Sequence, residues 1–366
     1  MHVKYTELWT WKKKILFDDD MLKFYQSEFE DINIHDDYHF FFLDRKQFQV
    51  FFTHNILNYV SFQRLDKTYQ NSQALQTYYD TLFEFIQKNQ ITHVVIVHTW
   101  QYWHPDFLKR LQDIWVVMSL WTADDDSNTI KYCSLPYTKY YDYHFHVWVM
   151  FDAKRTIADV FKEHWSKNPI WIPLWAMKMH INDKVDFEHR DIEVCYIGNV
   201  NPLKLFRLSK LKRHFGDRFK LYGAQWNGDW KSVKWIFYKM VNKLFNIGYV
   251  QKLSDEELKH VYAKTKIGFN MHLVSYKWPS NMRLYELPIN GVMQLCDNEK
   301  WLHKTFEVGK EIIAYKNISD AIQKIEYYLT HEKERIEIAK AWYKKAHNNY
   351  TCENNFKKVF SIIFKD

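Results

Sequence analysis

Short apolar runs alternate along this chain with longer stretches whose apolar residues recur every three or four positions. That is the pattern of strands and helices in parallel α/β layers. In the first half, KKILF (13–17), HFFFL (39–43), HVVIV (93–97), IWVVMSL (114–120), YHFHVWV (143–149) and PIWIPL (169–174) predict strands. Between them Ser72–Lys88 places Leu75, Tyr78, Tyr79, Leu82 and Phe85 on one helical stripe. HPDFLKRLQ (104–112) opens with a proline that a first helical turn tolerates, and Asp152–His164 is a further helix. The pattern restarts with IEVCYIG (192–198), a strand ending in glycine, then the helix NPLKLFRLSKLKRHF (201–215) and the strand RFKLYG (218–223). IGYV (247–250) is followed by SDEELKHVYAKT (254–265), where Ser254 and Glu257 form a capping box, and by the strand KIGFNM (266–271). Residues 280–296 read as loop, helix, turn and strand, 311–315 as a strand, and 318–350 as largely helical.

This doubling predicts an α/β chain of two Rossmann-like domains facing across a cleft, with ligands at the carboxyl ends of the strands. The polar stretch INDKVDFEHRD (181–191) reads as the linker, giving domains 1–186 and 187–345 and a last helix in 346–366.

Composition narrows the class. With 16 Trp, 25 Tyr and 27 Phe in 366 residues the chain must fold around a large core. The longest apolar stretch, Ile114–Ala123, is about half of a membrane span, and no leader-like apolar segment opens the chain. Cys133, Cys195, Cys296 and Cys352 are scattered, which reads as reduced thiols and a cytoplasmic location.

All eight glycines lie between Gly198 and Gly309, so the second half is the place for a phosphate-cradling loop. Charge is asymmetric in the same sense: residues 1–186 carry 20 basic and 24 acidic side chains, residues 187–366 carry 31 and 20. A basic face beside glycine loops suits a diphosphate, a nucleic acid or an anionic surface, and leaves peripheral membrane contact open.

The segment PSNMRLYELPINGVMQLCDNEKWLHKTFEVGKEIIAY (279–315) is the richest in candidate chemistry. Ser280 and Asn281 can cap the following helix, Arg283 offers a planar guanidinium to a diphosphate, and Glu286, one turn on, can accept from ribose hydroxyls. Gly291 lets the turn into the next strand pass close to the ligand. In the first half, His98 and Trp100 follow the strand at 93–97, and Trp121 and Asp124–Asp126 follow the strand at 114–120. His98, Asp124, Asp125 or Asp126 could act as a general base, and Trp100 and Trp121 could stack on an acceptor.

The 279–315 segment resembles the carboxy-terminal signature of CgeB-like glycosyltransferases, N-x-R-x-x-E followed by a small-residue turn, a strand, Asp and F-x-x-G-x-E. DIEVCYIGNVNPLKLFRLSKL (191–211) resembles that family's strand, Gly-Asn and Arg-containing helix, and LYGAQW (221–226) its L-Y-G-x-x-W. The resemblance runs over about 90–366 and is specific over 191–315. It implies a GT-B fold and transfer of a sugar from a nucleotide-diphosphate sugar, a UDP- or GDP-sugar co-substrate, to a glycan, lipid-linked or nucleic-acid acceptor. By position it implies that Gly198 and Asn199 meet the donor phosphates and that Tyr249 and Val250 seat the base. Asn281 and Arg283 would hold the diphosphate and sugar side, and Glu286 the ribose. The related E-x7-E transferases have a first glutamate where this chain has Trp278.

The resemblance also implies that the last helix crosses back to the first domain and that no metal is essential, despite the DDD runs at 18–20 and 124–126 and HFH at 144–146. Two other readings compete. One is a nucleic-acid-directed protein, a binder or a transferase acting on modified bases, using the basic stretch 201–250 with Trp226, Trp230 and Trp235. The other is a non-catalytic nucleotide-sugar-binding relic.

Overall fold

The computed structural model describes residues 13–19, 38–42, 73–97, 103–122, 135–147, 149, 151, 154–199, 202–223, 240, 243–244, 247, 250–272, 281–297, 302–303 and 305–364. Two wholly parallel sheets account for the strand pattern. The first contains β1 (Lys13–Asp19), β2 (Tyr38–Phe42), β3 (His93–Val97), β4 (Val117–Thr122), β5 (Tyr143–His146) and β6 (Pro169–Trp171), in the order β2-β1-β3-β4-β5-β6. The second contains β7 (Ile192–Ile197), β8 (Phe219–Tyr222), β9 (Thr265–Asn270), β10 (Met293–Cys296) and β11 (Ile313–Ala314), in the order β11-β10-β9-β7-β8. Both orders reverse direction beside their first strand, the doubly wound arrangement that opens a ligand crevice at the carboxyl ends.

Helices supply the crossovers. In the first sheet these are α1 (Gln73–Lys88), α2 (Pro105–Asp113) and α3 (Ile157–Glu163). In the second they are α4 (Pro202–Phe215), α5 (Asp255–Lys264) and α6 (Arg283–Ile289); α7 (Ile318–Thr330), α8 (Glu332–Asn349) and the terminal α9 (Cys352–Ile363) follow β11. Local chemistry explains their ends. His104 Nδ1 accepts the Asp106 N–H at the start of α2, Thr156 and Asp159 close a capping box on α3, and Ser254 and Glu257 close the expected one on α5.

Two boundaries differ from the sequence pattern. The run at 114–120 enters its strand only at Val117, because Ile114 caps α2 and Trp115 takes a left-handed φ of 63° to reverse the chain. The long helical run divides at His331, whose backbone leaves helical geometry (φ −102°, ψ 63°) while its ring stacks on Tyr327 at 3.8 Å.

The chain forms two compact units, residues 1–173 with 356–366, and residues 174–355. In the first, Leu16, Val94, Ile96, Met118 and Leu120 of the sheet pack with Tyr78 and Leu82 of α1 and Phe107, Leu108 and Leu111 of α2. In the second, Val194, Ile267, Phe269, Met293 and Leu295 pack with Leu205 and Leu208 of α4 and Ile325 and Ile338 of α7 and α8. No described helix is long and apolar enough to cross a membrane.

The polar stretch 181–191 lies within the second unit and is anchored there. Asn182 N–H and Nδ2 both donate to Asn290 Oδ1, at 2.9 and 2.8 Å. Arg190, 4% exposed, donates Nε to Asp186 O (2.6 Å), Nη1 to Tyr262 O (3.1 Å) and Thr265 O (2.6 Å), and Nη2 to Asn290 O (2.8 Å). Burial, with the charge of Arg335, brings the Arg190 pKa down to about 10. Gly291 sits at φ 71°, and a Cβ there would collide with Val185, Phe187 and Arg190. Its need for glycine thus comes from the close approach of this stretch, which corrects the expectation of a turn kept open for a ligand.

Replacing Arg190 with Met strands the carbonyls of Tyr262, Thr265 and Asn290. The variant is expected to lose about 3 kcal/mol or more of stability in urea unfolding, the scale for breaking a buried charged network.

Candidate functional site

In the second sheet the order reverses between β7 and β9, so the groups that follow these strands border the ligand crevice. Beyond β7, Gly198 has φ 149° and donates its N–H to Tyr222 O at 2.9 Å. A Cβ on Gly198 would stand 2.8 Å from Arg283 Cζ and 3.0 Å from both Nη atoms, so the guanidinium lies flat against this glycine. Asn199 is exposed, and its carbonyl accepts from Tyr196 Oη at 3.0 Å.

The first turn of α4 then brings in Lys204, 8% exposed, with Nζ 3.5 Å from Tyr196 Oη. Burial first and the Arg283 charge second bring the Lys204 pKa down to about 8, against the opposing pull of Asp297. Burial also carries the Tyr196 phenol up to about 12. Sequence reasoning passed over Lys204 as one lysine of an amphipathic helix; the signal was its place one turn after Gly198-Asn199.

Arg283 opens α6. Its Nε is buried with no hydrogen-bond partner among the described residues. Asn281 caps as expected, its Oδ1 accepting the Leu284 N–H at 3.1 Å. Its carboxamide is otherwise occupied by a reciprocal pair with Asn270, at 2.9 and 3.1 Å.

Glu286 requires a correction. It is 5% exposed rather than presented to ribose hydroxyls, because Oε1 is bound by His180 Nδ1 at 2.7 Å and Oε2 accepts from Tyr262 Oη at 2.8 Å. His180 Nε2 in turn lies 3.2 Å from Asp255 Oδ1. Val250 and Trp121 also turn inward. Val250 belongs to the second unit's core, so its side chain is no seat for a base. Trp121, 1% exposed, packs against Phe145 (5.9 Å) and Phe356 (5.4 Å), which removes it as an acceptor platform. His98, Trp100, Asp124, Asp125, Asp126, Trp226, Trp230, Trp235, Tyr249 and Ser280 lie outside the described residues.

Past the ends of β9 and β10 the structure joins two residues that the sequence did not single out. Asp297 accepts the His272 N–H (3.0 and 3.2 Å to its two oxygens) and pairs with His272 Nδ1 at 2.6 Å. Cys296 Sγ lies 4.0 Å from both His272 Nδ1 and Asp297 Oδ1, the one set of metal-type donors gathered among the described residues. The short Nδ1···Oδ1 contact is a hydrogen bond, and burial with the neighbouring Asp297 charge keeps the Cys296 thiol well above its usual pKa.

Residues 204–361 match a family model described as glycosyl transferase-like. No curated protein matches the chain significantly. Among solved structures, sucrose-phosphate synthase from Thermosynechococcus elongatus aligns with a TM-score of 0.62 at 9% identity, over 96% of this chain and 99% of that one. HepE of Anabaena, solved with UDP and glucose, aligns at 0.62 and 10% identity over 97% and 100%. An alpha-glucosyltransferase solved with UDP and a 13-mer DNA containing an HMU base aligns at 0.59 and 12% identity over 96% and 99%. This chain has the GT-B fold. Its two parallel-sheet units are those of GT-B, and the crevice beside β7 belongs to the second of them.

The His180–Glu286 pair gives a pH test. Burial lowers the His180 pKa, but hydrogen bonding to and the charge of Glu286, and then of Asp255, more than offset it, leaving it above 6.5. A raised folded-state value adds stability that is full below 6.5 and is lost as the pH climbs through the raised value. Wild type should therefore exceed His180→Gln in unfolding free energy most at about pH 5.5, with the gap narrowing towards pH 8.5. Urea melts across that range check it, and a pH-independent gap would contradict it.

Proposed function

We propose that this chain is a glycosyltransferase, of the CgeB-like branch, that binds a nucleoside-diphosphate sugar in the crevice at the carboxyl ends of β7 and β9. The observation that carries this reading is the Arg283 guanidinium laid against Gly198, its buried Nε without a hydrogen-bond partner among the described residues, near Lys204, whose pKa burial brings down to about 8. Two cations held close together at the end of a glycine-terminated strand favour a multiply charged anion, and a planar guanidinium suits a diphosphate. The glycosyl transferase-like match over 204–361 and the UDP named in the HepE structure support the same ligand.

In the reaction, the bond from the anomeric carbon to the diphosphate oxygen breaks and its electron pair stays on that oxygen. Arg283 and Lys204 would be fixed charges aimed at the oxygen as it becomes more negative, at no cost in reorganisation. Gly198 and Asn199 would border the phosphates. With these cations in place, charge compensation by a divalent ion is not needed. The acceptor hydroxyl oxygen forms the new bond to the anomeric carbon and gives up its proton to a base, a role we assign by position to His98 or to one of Asp124–Asp126, beyond β3 and β4 of the first unit. The acceptor is a glycan, a lipid-linked sugar or another hydroxyl compound.

Thermal-shift and calorimetric titrations with UDP, GDP and their sugars test the proposal, since a ligand of the native state raises its stability. UDP or GDP should bind with or without EDTA. Arg283→Ala should weaken that binding by about 1.5 kcal/mol or more, roughly tenfold. Gly198→Ala, whose methyl group would push the guanidinium aside, should do the same. Failure of every nucleoside diphosphate to bind the wild-type chain would overturn the assignment.

A further inference from the structure

Two amide side chains lie under α6. Ile267, Phe269, Met293 and Leu295 alternate onto the opposite face of the second sheet, in the core shared with α4, α7 and α8. That leaves Gly268 and Asn270 of β9 and Gln294 and Cys296 of β10 on the α6 face, with Gly268 opposite Gln294 and Asn270 opposite Cys296. α6 packs closely on this face, since a Cβ on Gly268 would stand 2.6 Å from Leu287 Cδ2. Asn270 and Gln294 are fully buried there, where a polar side chain is costly unless hydrogen bonds offset its loss of water.

Both amides bind the opening of α6. Asn281 Oδ1 accepts the Leu284 N–H at 3.1 Å, which fixes that oxygen as an acceptor and requires a donor opposite it. Asn270 supplies one, Nδ2 to Asn281 Oδ1 at 3.1 Å, and its own Oδ1 accepts from Asn281 Nδ2 at 2.9 Å. The Asn270 carbonyl is held as well, accepting from Tyr315 Oη at 3.1 Å. Gln294 Nε2 donates to Arg283 O at 3.2 Å, and a carbonyl at that place admits only the N–H side of the amide. The residue two places before Arg283 is thus tied to β9 and the Arg283 carbonyl to β10, while its guanidinium lies on Gly198 beyond β7.

We infer that Asn270 and Gln294 are positioning residues for donor binding: they fix the first turn of α6 and so hold the Arg283 guanidinium at Gly198, where a diphosphate would meet it. The inference rests on the donor-site reading above and adds to it the two residues through which the sheet aims the arginine. Neither touches the ligand. A helix of seven residues has little rigidity of its own, and Met282 in its N-cap place makes no side-chain bond. The capping bond comes instead from Asn281, one place earlier, which Asn270 holds. A planar guanidinium must meet two oxygens in one plane, so a small rotation of that turn forfeits both bonds where a point charge would tolerate it.

Double-mutant cycles test whether these amides act through Arg283. Asn270→Leu and Gln294→Met stay close to the original shapes and lack the amide. In calorimetry each should bind UDP about fivefold or more weakly than wild type. In an Arg283→Ala background the same substitutions should change UDP affinity by about twofold or less, since no guanidinium is left to aim. GDP replaces UDP throughout if it is the diphosphate that the wild-type chain binds. Wild-type affinity in either single variant overturns the role of that residue. Equal losses in the two backgrounds overturn the inference as a whole, because that is the result of merely loosening or unfolding the second unit. If the wild-type chain binds neither UDP nor GDP, or if Arg283→Ala binds as wild type does, the donor-site reading itself fails and the positioning role falls with it.

Discussion

Arg190 brings a guanidinium into the interior of the second unit and satisfies it with the peptide carbonyls of Asp186, Tyr262, Thr265 and Asn290. These four oxygens come from the segment preceding β7, the junction of α5 with β9, and the end of α6. A buried cation without a carboxylate partner tolerates little loss of geometry, because each carbonyl it releases is left dry. That constraint fixes where α6 ends, and α6 begins with Arg283. Asn290, whose carbonyl accepts from Arg190, also receives Asn182 through its side chain, so the helix carrying Arg283 is tied at its far end to 182–190.

At the near end of α6 the chemistry is different. Asn281 pairs with Asn270, and Arg283 lies on Gly198, so the helix start meets the ends of β7 and β9 through polar groups. Charge is distributed unevenly there. Asp297, the carboxylate that acts on Lys204, is already engaged by His272, and Glu286 is engaged by His180 and Tyr262. Among the described residues, Arg283 and Lys204 thus share this end of the sheet with carboxylates that other side chains already engage.

The alternation of apolar runs made both sheets legible in the sequence, because parallel strands buried on two faces read as continuous apolar segments. Gly198 and Arg283 are singled out in the sequence because glycine before a helix and arginine in a first turn are chemically distinctive, and the structure brings the two together. Glu286 was misread for a physical reason. Helical spacing puts it near Arg283, but spacing does not reveal that His180 and Tyr262 come from other segments to claim both of its oxygens. Trp121 was misread for a related reason, as position at a strand end says nothing of the aromatic residues 24 and 235 positions away that cover it. His272 and Asp297 could not be paired from sequence at all, since 25 residues separate them and only the adjacency of β9 and β10 brings them together. The stretch 181–191 looked like a linker because it is polar, yet its polar groups are the ones that bind carbonyls and amides of the second unit.

Residues 356–366 belong to the first unit, although the whole of the second unit, 174–355, precedes them in the chain. Phe356 covers Trp121 at 5.4 Å, and Phe364 meets His93 at 4.3 Å. The order of synthesis and the order of completion are therefore reversed. The second unit is a continuous piece of chain, and its last residue is made before the segment that completes the first. The first unit begins to emerge before it but cannot cover Trp121 until Phe356 and the residues after it have been made. A chain cut off at residue 355 would keep every residue of the second unit but leave Trp121 of the first without its Phe356 cover, the kind of exposed apolar surface that chaperones bind.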